Sequence, residues 1–127
     1  MKQGKITQAY KTVFDLYRVK GLPFSLSSRL FTLKRKLQPF VEHQQEQEME
    51  LLESWKALNP DGTMNITTEN VNQVNDGLKS IQDAEVEWNE QPITIALNDD
   101  LTEKLGITGE IIEQVDGFIV FKEEGDE

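Results

Sequence analysis

The chain has no cysteine and a single histidine, His43, among its 127 residues. The first absence rules out disulfides and thiolate metal sites, and nothing points to an oxidising compartment. The second leaves a zinc site short of ligands. It also rests any Ser/His/Asp triad on one residue in Val41-Glu42-His43-Gln44-Gln45-Glu46, which reads as a wet helix face. Long apolar runs are missing too. None approaches the ~20 residues that cross a bilayer. Met1 to Val19 mixes Lys2, Lys5, Lys11 and Arg18 with its apolar residues, so no signal-peptide block is present. Glycine is thinly spread: Gly106 and Gly109 flank Ile107-Thr108, fewer glycines than a phosphate loop needs, and without its usual lysine. We therefore expect no catalytic, cofactor-binding or metal-ligating residue, and a soluble, intracellular protein that is not an enzyme.

What is present is helical patterning. At 127 residues the chain is read as one domain. Its mean hydropathy of -0.53 suits elongated helices with much wetted surface. Leu26, Leu30, Leu33, Leu37 and Phe40 alternate at spacings of four and three, which aligns them on one helical stripe. The stripe fails over Glu42 to Glu48 and resumes with Met49, Leu51, Leu52, Trp55 and Leu58. Ser25 stands where an N-cap would precede it. Pro39 interrupts: it removes one helical hydrogen bond and crowds the Arg35 carbonyl, at about 3 kcal/mol. Either the helix kinks there or it stops near Leu37 and a second begins. We read two helical pieces meeting at an angle.

The rest is assembled around this rod. Ile6, Tyr10, Val13 and Tyr17, widened by Ala9, Phe14 and Leu16, predict an amphipathic helix stopped by Gly21, and Leu22-Pro23 forces an extended connector. Asn59-Pro60-Asp61-Gly62 is a turn; its likeness to a calcium loop breaks at Ala57 and Thr68, where ligands would be needed. Thr67 or Thr68 caps a helix bearing Val71, Val74, Leu78 and Ile81 on a narrow stripe, and Gly77 within it allows a close approach. Val41–Leu58 and Thr68–Ala84 then form an antiparallel helical hairpin. Beyond Ala84 the period changes to two, first at Val86 and Trp88, then at Ile93, Ile95 and Leu97. Two short helices follow, capped by Asn98 or Asp99 and by Thr108, and stopped by Gly106 and Gly117. Phe118 to Phe121 is a second strand candidate that could equally extend the preceding helix. Acidic pairs such as Asp99-Asp100 and Glu123-Glu124 are explained by solvated faces and helix N-termini.

Charge is split along the chain. Residues 1 to 40 hold nine Lys and Arg against Asp15 alone, a balance of +8. Residues 41 to 127 hold four Lys against twenty-two acids, a balance of -18, and the two make the net -10. The basic segment either lies on the acidic one within a monomer or meets the acidic part of another copy. The acidic remainder argues against nucleic acid as a partner.

From end to end the layout is similar to a family of small uncharacterised proteins of tailed bacteriophages and prophages of Gram-positive bacteria. Lys5-Ile6-Thr7 opens a helix, Leu22-Pro23 precedes a long one, and Asp61-Gly62 follows a helix end. The rhythm of Ile93 to Leu97, Leu101, Gly106 to Ile112 and Phe118 to Phe121 is also alike. Pro39 departs from the unbroken helix that the resemblance implies. The resemblance carries no site residue. It implies a phage setting, in the cytoplasm of an infected host or in the virion.

The expected fold is α+β and mostly α. A helix over 1–21 leads into a helical hairpin region over 25–84. A small strand and short-helix element over 86–121 follows, then an acidic tail over 122–127. The expected function is protein–protein contact, as a self-associating virion or assembly component or an adaptor, with no membrane or nucleic-acid partner. The alternative is an acidic inhibitor of a host nucleic-acid-binding enzyme. The candidate interface residues are Leu26, Leu30, Leu33, Leu37 and Phe40 on the stripe, the cations Arg29, Lys34, Arg35 and Lys36, and Trp55 and Trp88, which serve as anchors if exposed and as core if not.

Overall fold

The computed structural model describes residues 1–124, so the last three positions of the expected tail, 125–127, lie outside the described residues. The fold is mixed α+β and mostly helical. In chain order the elements are α1 (Gln3–Tyr17), α2 (Phe24–Ser54), α3 (Val71–Asp83), β1 (Ile93–Leu97), α4 (Asp99–Leu105), α5 (Gly109–Gln114) and β2 (Ile119–Glu123). No described helix is long and apolar enough to cross a membrane.

α2 is one helix of 31 residues with Pro39 inside it, which corrects the expectation of two pieces. The reason is where the proline points. Leu26, Leu30, Leu33, Leu37, Val41, Gln44 and Leu52 form the buried stripe, while Arg35 and Pro39 both lie on the exposed side. Water can therefore take up the Arg35 carbonyl that proline leaves without a donor, and the packing of the opposite face holds the helix together. The stripe itself does not fail after Phe40. Gln44 continues it, buried, with the Thr7 hydroxyl donating to its Oε1 and its Nε2 donating to Glu48 at 2.8 Å. Pro23, not Ser25, occupies the N-cap position, and no side chain caps this end.

α1 lies along α2 and buries Gln3, Ile6, Ala9, Thr12, Val13 and Leu16. Tyr10 and Tyr17, expected on the centre of that stripe, are only half-buried, because the true centre runs through Ile6, Ala9, Val13 and Leu16. The main core joins these residues to the α2 leucines, Ile95, Leu105, Val115, Phe118 and Ile119. A second, small core of Leu52, Ala57 and Val74 lies at the far end of the α2–α3 hairpin. Between the two sits a polar layer. Gln3 is 1% exposed and its Nε2 donates to Gln47 Oε1 at 2.8 Å and to the Ile81 carbonyl at 2.9 Å, which ties α1, α2 and α3 together.

The hairpin is antiparallel, as Gln47 lies at the level of Ile81 and Leu51 at the level of Gly77. Its loop closes at Asn59, whose carbonyl accepts from Gly62 N at 2.9 Å, and Gly62 adopts φ +87°. α3 begins at Val71, later than Thr67 or Thr68 would place it. The Thr67 hydroxyl accepts from Glu69 N ahead of the helix, and buried Asn70 organises the loop by donating to the Trp55 and Asn65 carbonyls.

Val86 and Trp88 are not in a strand. This segment runs back along the start of the chain, with Ala84 O accepting from Gln3 N at 2.8 Å and Met1 O from Val86 N at 2.8 Å. β1 and β2 pair in parallel, Ile93 opposite Ile119 and Ile95 opposite Phe121. Parallel strands need a crossover, and α4 and α5 supply it. The Asn98 and Thr108 side chains cap these helices by accepting from Leu101 N and Ile111 N, and Gly106 ends α4 in the left-handed region. Lys122 and Glu123, expected in the tail, are instead the end of β2.

Candidate protein-binding surface

The side chains on the flanks of the α1–α2 stripes do not enter the core, and they gather on the surface. Phe14, Tyr17 and Arg18 stand three and one residues apart on α1 and its C-cap. Phe31, Lys34 and Arg35 repeat that spacing on α2. Because the two helices lie side by side, the two sets face each other. The Tyr17 and Phe31 rings are 5.8 Å apart and tilted by 39°. Lys34 Nζ is held among three rings, 5.6 Å from the centre of Phe14, 5.9 Å from Phe31 and 6.0 Å from Tyr17. Arg18 Cζ lies 5.4 Å from the Phe14 ring and Arg35 Cζ lies 5.7 Å from Phe31. Each cation faces the negative face of a ring, an attraction worth roughly 0.5–1 kcal/mol at an exposed site.

None of Arg18, Arg29, Lys34 or Arg35 makes an ion pair with a carboxylate among the described residues. Rings keep their positions without neutralising them, so the cluster presents net positive charge beside exposed aromatic carbon. Phe24 at the start of α2 is 86% exposed and Phe31 is 40% exposed. Such an arrangement is equipped to take up carboxylates together with apolar side chains, the chemistry of an acidic protein surface.

The expected interface residues separate into three groups. Leu26, Leu30, Leu33 and Leu37 are buried in the chain's own core, and so are unavailable to a partner; α1 and the sheet cover the stripe. Phe40 and Trp88 are half-buried and packed against that core. Their rings meet edge-on at 5.7 Å, and Trp88 lies 5.3 Å from Phe118. Lys36 is engaged within the chain, with Nζ 3.0 Å from Glu90 Oε2. Arg29 and Arg35 remain exposed, Lys34 is half-exposed in its cage, and Trp55 at the end of α2 is 45% exposed. The α1 contribution of Phe14, Tyr17 and Arg18 was not picked out from sequence. The available signal was an aromatic pair beside an arginine, one step off the apolar stripe.

The opposite sign dominates the second half of α2, where Glu42, Glu46, Glu50 and Glu53 are all exposed. The two parts of the chain do meet within one copy, through the Met1 ammonium with Glu85 at 2.8 Å, Lys2 with Asp83 at 3.5 Å and Lys36 with Glu90 at 3.0 Å. The ammonium holds the Glu85 carboxyl below the usual range, first by hydrogen bonding and then by its charge. These contacts leave the α2 glutamates outside. An open groove of about 900 Å³ between α1 and α2 is lined by Lys5, Gln8, Lys11, Gln44, Gln45 and Glu48 among others. Among the described residues, no three His, Asp or Glu side chains gather as a metal-binding group. No protein-family model matches the chain, and no curated protein or solved structure matches it significantly.

Proposed function

We propose that this is a non-enzymatic assembly protein that binds other protein, its own copies first, with the aromatic–cationic cluster of one copy receiving the acidic surface of the next. The observation that carries this is the division of α2 by sign. Its exposed N-terminal half bears Arg29 and Arg35, with Lys34 half-exposed between them, and its exposed C-terminal half bears Glu42, Glu46, Glu50 and Glu53. A surface with both signs far apart on one rigid rod is poorly neutralised by itself and well neutralised by a copy. The phage setting, virion or infected cytoplasm, rests on the family resemblance alone. Light scattering on a sizing column tests the proposal. Association that weakens as salt rises supports it, and a monomer at high protein concentration and low salt refutes it.

A second reading, an acidic inhibitor of a nucleic-acid-binding enzyme, is favoured by the same glutamate row, since Glu42, Glu46 and Glu50 recur every four residues along one exposed face. It requires that row alone. Replacing Arg29 and Arg35 with glutamate would leave such inhibition intact and would abolish the self-association.

A further inference from the structure

We infer that two copies pair through the outer face of α2, antiparallel and about a two-fold axis at the level of Phe40, an inference that rests on the self-association proposed above. α2 has 31 residues, so it is a rod of roughly 46 Å. The face directly opposite its buried stripe carries Ser28, Thr32, Arg35, Pro39, Glu42, Glu46 and Glu53, all exposed. The spacing of four and three residues from Ser28 to Glu46, with Glu53 seven residues further on, is the seam along which one helix lies on another. Arg29 and Glu50 flank that seam on the same side.

Self-complementarity follows from the order of charges. In an antiparallel pair centred near Phe40, Arg35 stands opposite Glu46 of the second copy and Arg29 opposite its Glu50. The two-fold axis repeats both pairs, which is the isologous arrangement of a closed dimer. Met49, 46% exposed, comes over Thr32 and beside Phe31 of the second copy, which gives the face an apolar contact in each half. A parallel pair would set Arg35 against Arg35 and Glu46 against Glu46, so repulsion selects the antiparallel orientation. The core of the chain is untouched by any of this, because none of the residues that make these contacts belongs to it; Phe40 marks only the level of the axis.

The test uses the full chain. Scattering mass should rise to twice 14.6 kDa and stop there. The double variants Arg29→Glu/Arg35→Glu and Glu46→Arg/Glu50→Arg should each be monomeric, with unchanged circular dichroism, and an equimolar mixture should recover the dimer. Nitroxides on His43→Cys and on Ser28→Cys, clean sites in a cysteine-free chain, should report interspin distances that differ by roughly 25 Å, because position 43 lies near the axis and position 28 far from it. Association with equal distances at the two sites, growth beyond two copies, or a mixture that stays monomeric overturns the α2 pair and leaves self-association standing. A wild-type monomer at low salt overturns both.

Discussion

Gly77 is the position at which a single methyl group should reverse its usual effect. In an unpacked helix, alanine is favoured over glycine by about 1 kcal/mol. Here an alanine Cβ at position 77 would lie 2.6 Å from both Cδ1 and Cδ2 of Leu51 on α2, closer than a carbon contact allows. Leu51 is half-buried, so it can swing away, but only by leaving its place against α3. Overpacking of this kind costs about 1–3 kcal/mol. Set against the propensity gain, Gly77→Ala should destabilise by about 0–2 kcal/mol. In a Leu51→Ala background the obstacle is gone, and the same substitution should stabilise by about 1 kcal/mol. Urea denaturation of the wild type, both single variants and the double variant closes the cycle, with an expected coupling of about 1–3 kcal/mol. For a chain of this size each kcal/mol moves the midpoint of thermal unfolding by roughly 3–6 °C. Stabilisation by Gly77→Ala in the wild-type background, or a coupling near zero, would refute the claim that α3 meets α2 at this glycine.

Three further outcomes are expected. Gln44→Ala should cost about 1–3 kcal/mol, since it removes buried hydrogen bonds to Thr7 and Glu48, while Gln44→Leu, which refills the space, should cost less by chemical denaturation. Trp88 has a buried indole N–H that meets no partner among the described residues, so Trp88→Phe should be close to neutral, whereas Trp88→Ala should cost about 3–5 kcal/mol for the cavity beside Phe40 and Phe118. The Asp61 carboxyl accepts from the Thr63 hydroxyl at 2.6 Å and from its backbone N–H at 3.0 Å, which holds it below the usual range. Its contribution to stability is therefore present above the ordinary aspartate value and lost as pH falls through the depressed one. A carboxyl NMR titration should show Asp61 among the last to protonate on acidification, with Thr63→Val moving it back up.

Where a residue acts through its own backbone, sequence was sufficient. Gly21, Gly62, Gly106 and Gly117 all sit at positive φ where a turn or helix stop was expected, because that conformation penalises any side chain locally. Asn98 and Thr108 cap their helices for the same reason: donor and acceptor are three residues apart. The four α2 leucines were legible as a stripe. Their assignment to a partner was not, since a stripe looks the same whether its cover comes from the same chain or another. α1 supplies that cover, and the candidate surface moved to the opposite side of the helix.

Apolar periodicity also hides a buried polar residue. Gln44 looks like a break in the α2 stripe and Gln3 like the wet start of α1, yet both are interior, because Thr7, Gln47 and the Ile81 carbonyl arrive from other elements to satisfy them. Pro39 is the same case in reverse. Its local cost is real, and the continuous helix survives because the buried stripe on either side of it, from Leu26 to Leu52, is packed against the rest of the chain while the proline looks outward. Sequence alone determined where the chain could turn, that most of it up to Ala84 is helical, and where charge changes sign. Tertiary structure decided what those elements cover, that Lys34 rests among Phe14, Tyr17 and Phe31, and that the two strands run parallel. The physical division is one of range: torsions and caps are settled within four residues, whereas burial and pairing depend on surfaces brought together from across the chain.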